Sequence, residues 1–475
     1  MVDYSAVLTF IFSQFIVINS AICSDGPLFL TPYIDRGDIL DARHLARNRP
    51  LLADVESYSG FLTVNHARDT NTFFWFFLSE TEPLDAPVVL WLNGGPGESS
   101  MFGALIENGP YELLNGQGQL RIRQHRWSKK FNMLYIDNPA GTGFSFTTTG
   151  DYATDEAQVG NYLYEALTQF LKLFPELKDN PVFLTGESYA GKYIPALAYV
   201  IHGENFKNGR RIVNLQGVAI GNGLIDPANM LIHDEHQRQL GLIDEDRYEE
   251  MKNILRQIKN DVRDSNWDRA SDLFEGLFWA KRDGHPDNVL FNDTGFTNHY
   301  NILISQDDGT NGWVKNFMSN LTVRESLHVG NSTFYDGSLA EKSLHADMMK
   351  SVLPWFVEIV ENYNVLLYSG QLDIVIPYPS TVHFLRRMPW SGRGRYLTAK
   401  REKWYVDDDI AGYTKTVGHL GAYGRRISFT EALVRNAGHI VPKDQPEWAY
   451  ELISRFIESS QRDFPPKSVE MINSS

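Results

Sequence analysis

The segment VFLTGESYAGKYIPALAYV, residues 182–200, constrains the fold more than any other stretch of the 475-residue chain. A β-rich run, VFLTG, meets a helical pattern across Gly186-Glu187-Ser188-Tyr189-Ala190, with no intervening loop. So tight a strand-to-helix turn needs small residues on both sides of the serine. Gly186 supplies one, and Ala190 supplies the other where glycine is more usual. The turn holds the Ser188 hydroxyl clear of the backbone at a helix N-terminus, the placement of an activated nucleophile. An ordinary strand–helix turn is the competing reading of this segment taken alone.

The surrounding pattern supports a layered α/β fold. FLTV (61–64) and NTFFWFFLS (71–79) read as a hairpin, and VVLWLNGG (88–95) and MLYIDNPAGTG (133–143) as buried strands running into glycine. Val159, Leu163, Ala166, Leu167, Phe170 and Phe174 recur at helical spacing, with Thr154 as cap and Pro175 as stop. YIPALAYVIHG (193–203) reads as a helix and VNLQGVAIGNG (213–223) as a strand, its GNG a turn rather than a dinucleotide fingerprint. Alternation at this spacing predicts a mostly parallel, twisted sheet with helices on both faces. It lapses over 226–345, a polar stretch with a helix near 244–258, and resumes with NVLLYSG (364–370), KWYVDD and ISFTEALVRNAG. Asp444-Gln445-Pro446 opens a last helix. The expected organisation is a leader (1–23), a first core part (24–225), an insertion (226–345) and a second core part (346–475).

A nucleophilic serine needs a base, and the base an orienting acid. In folds built on this elbow, both follow later in the chain, acid before histidine, each after a strand. YSGQLD places Asp373 so, and RNAGHIVPKDQP places His439 in a Gly-His-x-x-Pro loop before the last helix. Asp407, Asp408 and Asp409 are rival acids, although an Asp triplet suits a solvated turn better. The earlier loop WLNGGPGESS (91–100) is placed to give one oxyanion-hole amide, the residue after the nucleophile giving the other.

NGGPG-x-SS, GESYAGKY, SGQLD and AGHIVP, in this order, resemble the serine carboxypeptidases of the α/β-hydrolase fold, most closely the vitellogenic-like and venom branch. The resemblance implies Ser188 as nucleophile, His439 as general base and then acid, and Asp373 as its partner. It implies oxyanion-hole amides from Gly95 and Tyr189. It also implies that Asn93, the Gly94 amide, Glu107 and Glu187 hold the terminal carboxylate of a peptide substrate, and that 226–345 is a helical cap. Two glutamates facing a carboxylate would repel it unless one is protonated, so such a site binds free C-termini best below neutrality. No metal or organic cofactor is implied. An acyltransferase or esterase on the same triad, or a secreted binding protein without catalysis, are the alternatives. Glu98 departs from the family, standing where many members carry a disulfide cysteine, and is read as facing solvent.

Composition narrows the setting. Asp and Glu number 59 against 44 Lys and Arg, a net charge of −15 that argues against nucleic acid as partner. Protonating the 13 histidines would cancel most of that charge in an acidic compartment. The single cysteine, Cys23, excludes a disulfide within the chain and a cysteine zinc site. Residues 5–22 are mostly apolar and Ala21-Ile22-Cys23 reads as a signal-peptidase site, though no basic n-region precedes it. Ser13, Gln14, Asn19 and Ser20 interrupt the run, so no membrane span is expected after cleavage. Asn292, Asn320, Asn331 and Asn473 begin glycosylation triplets, consistent with a secreted or lysosomal glycoprotein. His233 and His236, in HDEH, read as surface residues, without the partners of a metal site.

Overall fold

A computed structural model describes residues 26–278, 289–421 and 425–462. The leader 1–23 and Asn473 lie outside the described residues. The core is an 11-stranded sheet. Its strands in chain order are β1 (Ser57–Asn65), β2 (Thr70–Phe77), β3 (Val88–Leu92), β4 (Asn132–Ile136), β5 (Val182–Glu187) and β6 (Leu215–Gly221). These are followed by β7 (Asn364–Gly370), β8 (Glu402–Val406), β9 (Asp409–Leu420) and β10 (Arg426–Val434), while the short Phe146–Thr147 pairs off β2. The spatial order is β1-β2-β4-β3-β5-β6-β7-β10-β9-β8. From β4 to β10 neighbours run parallel, and the pairings at both ends are antiparallel.

The composition of β2 shows why the sheet is covered on both faces. Phe73, Trp75 and Phe77 enter one apolar cluster, and Phe74 and Phe76 enter the other. Strand period two thus delivers every aromatic of TNTFFWFF to a core, each worth up to about 3 kcal/mol of burial. Helices α1 (Glu156–Leu173) and α2 (Ala190–Lys207) pack into the cluster of Phe74 and Phe76. In the chain between α2 and the second core part lie α3 (Glu245–Arg263), α4 (Trp267–Glu275) and α5 (Thr310–Met318). The last helix, α6 (Pro446–Arg462), contributes Leu452, Ile453, Phe456 and Ile457 to the cluster of Phe73, Trp75 and Phe77.

Several local expectations need adjusting. Asp155, not Thr154, caps α1, its Oδ1 accepting from the Gln158 amide at 2.9 Å, because the shorter hydroxyl of Thr154 is engaged by the Gln158 side chain. Helix α2 starts at Ala190, two residues after Ser188, and not at 193. Strand β9 was not anticipated; it joins β8 through a tight turn in which Asp407 has φ 49°, which assigns the Asp triplet to a hairpin. Among the described residues no helix is long and apolar enough to cross a membrane.

Candidate active site

Chemistry gathers at the C-terminal edge of the parallel strands, where an open α/β sheet leaves a crevice. Asn93 follows β3, Ser188 follows β5, Asn222 follows β6, Asp373 follows β7 and His439 follows β10. Ser188 is held at φ 60°, a strained conformation for a residue with a side chain. Its amide donates to the Gly221 carbonyl at 3.0 Å, and its own carbonyl accepts from the Gly191 and Leu224 amides. The elbow can close only over small neighbours. A Cβ on Gly186 would fall 2.2 Å from the Leu92 carbonyl, and one on Gly94 would fall 2.4 Å from the Tyr189 nitrogen. The loop after β3 therefore lies directly against the Ser188 turn.

Asp373 and His439 meet as the motif order predicts. His439 Nδ1 is 2.8 Å from Asp373 Oδ2, and both side chains are buried. Asp373 is pinned further by the Val375 amide on Oδ1 at 2.8 Å and by Asn222 Nδ2 on Oδ2 at 2.5 Å. Asn222 is itself held, its Oδ1 accepting from the Gly370 amide at 3.2 Å. The GNG turn is a turn, as read, but it also orients the acid. With Nδ1 committed to Asp373, Nε2 is the imidazole nitrogen left for the cavity that Ser188 and His439 both line. The HDEH histidines are not surface residues: His233 is buried, with Nε2 2.8 Å from the Val375 carbonyl, and His236 lies against the Asp373 backbone. Helix His233–Gln239 packs beside the Asp373 loop, burying His233 and leaving His236 half-buried. Burial pushes His233 down to about 4.

Asn93, Glu107 and Glu187 form a buried cluster beside the elbow. Asn93 Oδ1 accepts from Trp91 Nε1 at 2.8 Å and from the Gly103 amide at 3.1 Å. That fixes its amide group toward Glu107 Oε1 at 2.8 Å and Glu187 Oε1 at 3.4 Å. Burial pushes Glu107 up to about 7; burial and the neighbouring Glu107 hold Glu187 well above the carboxylate range. Both shifts favour the protonated carboxyls in this pair below neutrality. Gly95 has φ 101°, and among the described hydrogen bonds none occupies its amide or that of Tyr189.

Glu98 corrects another expectation. It is partly buried and lines the cavity rather than facing solvent, and burial, with Glu107 and Asp137 nearby, pushes it up to about 7. The loop bearing it is turned inward because Asp137, after β4, binds the Ser99 hydroxyl at 2.6 Å and the Ser100 amide at 3.1 Å through Oδ1. Sequence reasoning missed Asp137, although IDNPAG places it at a strand end like Asp373.

The cavity holds about 830 Å³ and is walled by Asn93–Glu98, Glu187, Ser188 and His439 on the sheet side. Its opposite wall comes from the stretch between the two core parts, through Asp268, Asp272, Glu275 and Thr297–Asn301. Asn292, Asn320 and Asn331 are exposed.

Comparison with known proteins gives the family. The family model described as serine carboxypeptidase matches residues 48–459. A venom serine carboxypeptidase of Apis mellifera is 44% identical over 435 residues, covering 90% of each chain. A probable serine carboxypeptidase of Homo sapiens is 42% identical, and a vitellogenic carboxypeptidase of Aedes aegypti 40%, each over 91% of this chain and 90% of theirs. The crystal structure of a prohormone-processing carboxypeptidase from Saccharomyces cerevisiae superposes with TM-score 0.70 at 24% identity, over 88% of this chain and 95% of that one, a likeness of fold. The chain belongs to the serine carboxypeptidase family, hydrolases of the α/β-hydrolase fold.

Proposed function

We propose that the protein removes C-terminal residues from peptides through an acyl-enzyme, and does so best in acid. Ser188 Oγ attacks the scissile carbonyl carbon while His439 Nε2 takes its proton, with Asp373 orienting the ring and stabilising the imidazolium. The Gly95 and Tyr189 amides receive the oxyanion. Collapse breaks the C–N bond, His439 returns the proton to the leaving amine, and a free amino acid departs. Water then repeats the sequence and releases the shortened peptide.

The observation that carries this reading is the Asn93–Glu107–Glu187 cluster next to the Ser188 elbow. A buried carboxyl that keeps its proton near pH 7 donates to a substrate carboxylate, whereas an ionised one repels it. With the Asn93 side chain and the Gly94 amide, it forms a clamp for a free C-terminus. An esterase or acyltransferase has no need of such a clamp, and a binding protein has no need of a strained Ser188. The helices within 226–345 act as a cap over the cavity, burying the peptide end. The name of the Apis mellifera relative and the exposed Asn292, Asn320 and Asn331 support a glycosylated protein of the secretory pathway, secreted or lysosomal.

The test is hydrolysis of one peptide and its C-terminal amide across pH 4 to 8. For the free acid, KM should rise about tenfold per pH unit above about 7 as the clamp loses its proton. The amide should be a poor substrate throughout and lack this rise. Equal hydrolysis of both in acid overturns the clamp.

A further inference from the structure

The segment 298–302 belongs to the stretch between the two core parts, yet it is stitched to both catalytic loops. The His439 amide donates to the Tyr300 carbonyl at 2.7 Å, and the Ile302 amide donates to the Leu372 carbonyl, one residue before Asp373, at 3.0 Å. Asn301 Nδ2 donates to Asp444 Oδ2 at 2.8 Å, the same oxygen that receives the Gly438 amide at 2.7 Å. Asn298 Oδ1 gathers the Tyr300 and Asn301 amides, which shapes the segment before it reaches the catalytic loops. Contact is close enough that a Cβ on Gly438 would sit 2.3 Å from the Tyr300 carbonyl. The glycine before the histidine is therefore needed for this docking.

The consequence for the histidine is in the rings. Tyr300 stacks on His439, centroids 5.4 Å apart and planes 21° from parallel. Asp373 holds one edge of the imidazole at Nδ1 but does not by itself stop the ring tipping about that hydrogen bond. A flat aromatic face laid along it does. Burial holds the Tyr300 phenol above its ordinary range, so the ring over His439 stays neutral.

We propose that Tyr300 is a positioning residue for His439: its stacked ring, docked by the 298–302 segment, keeps Nε2 aimed at Ser188. This rests on the catalytic reading of Ser188 and His439. It means that an element outside the core completes the geometry of the base, so a shift in that segment reaches the reaction directly. Misplacing a base by about 1 Å costs up to about a hundredfold in rate.

The experiment compares the wild-type protein with Tyr300→Phe and Tyr300→Ala, measuring kcat and KM on a free-acid peptide, the rate of Ser188 labelling by a fluorophosphonate, and thermal unfolding. Tyr300→Phe keeps the stacked face and should stay within about threefold of wild type, whereas Tyr300→Ala should lower kcat and labelling rate at least about tenfold with KM little changed. If the alanine variant does not fold, Tyr300→Leu carries the same expectation, because it fills the space without a flat face. A folded Tyr300→Ala or Tyr300→Leu with wild-type kcat overturns the proposal, as does a phenylalanine variant as impaired as the alanine one. A wild-type protein that neither hydrolyses the peptide nor takes the label overturns the catalytic reading itself, and this inference with it.

Discussion

Asp373 is held by more donors than His439 alone. Its Oδ2 receives both His439 Nδ1 and Asn222 Nδ2, while Oδ1 receives the Val375 amide. Removing the Asn222 side chain leaves the carboxylate free to turn on its remaining backbone contact. Asn222 has φ 44°, so Asn222→Gly removes the amide group without straining the turn. Asn222 is not among the residues lining the cavity, so the loss should fall on kcat, by about ten- to a hundredfold, with KM unchanged. Steady-state kinetics on a free-acid peptide decide it. An unaltered kcat would mean that the Val375 amide alone orients Asp373.

At the scale of elements, the helix that follows Ser188 is anchored by a buried ion pair. Lys192, in the first turn of α2, has no solvent exposure, and its Nζ is 2.8 Å from Asp347 Oδ2. The same ammonium donates to the Asp347 carbonyl. The chain after the 226–345 stretch is thereby tied to the elbow, and Met348, next along, lines the cavity. Burial of Glu156 in α1 pushes it up to about 8 even with Lys192 close by. Lys192→Met fills similar space but strands Asp347 in the interior. The expected cost is about 3–5 kcal/mol, read from urea unfolding. A variant as stable as wild type would show that Asp347 takes up a proton there at little cost.

Across the whole molecule, buried acids and buried histidines oppose each other. Burial holds Glu98, Glu107 and Asp137 at about 7, Glu156 at about 8 and Glu187 well above the ordinary range. Between the ordinary carboxylate range and about 7 the unfolded chain has lost protons that the folded protein keeps, so rising pH destabilises. Burial holds His233 and His299 down at about 4 and lowers His236, His328 and His419. There the unfolded chain binds protons that the folded one refuses, so rising pH stabilises up to about 6.5. Above that value only the acids act. Tm should therefore fall from about pH 6.5 to 8, as thermal unfolding at fixed ionic strength will show; a Tm that rises over this window refutes the assignment. The depressed histidines also correct the expectation that acid simply cancels the charge of −15, because several of the 13 stay neutral well into acid.

The convergence of Ser188, Asp373 and His439 was legible from the chain alone because each follows a strand of one parallel sheet, and parallel strands deliver their C-terminal ends to one edge. Small residues around Ser188 and the strand–turn–helix pattern encode that elbow locally, and alternating apolar runs encode the sheet. Residues that act only through partners distant in sequence were not legible. Asn222 reaches Asp373 across 151 positions and Lys192 reaches Asp347 across 155. In sequence these are an ordinary turn asparagine and an ordinary helix lysine. Glu98 and the HDEH histidines were misjudged for the same reason, since polarity predicts exposure until packing removes the water. The local sequence determined the strands, the elbow and the residue types gathered at the sheet edge; only the packing of the 226–345 stretch and the turns against that edge decided which carboxyls are buried and which ring lies on His439, because those contacts join residues far apart in the chain.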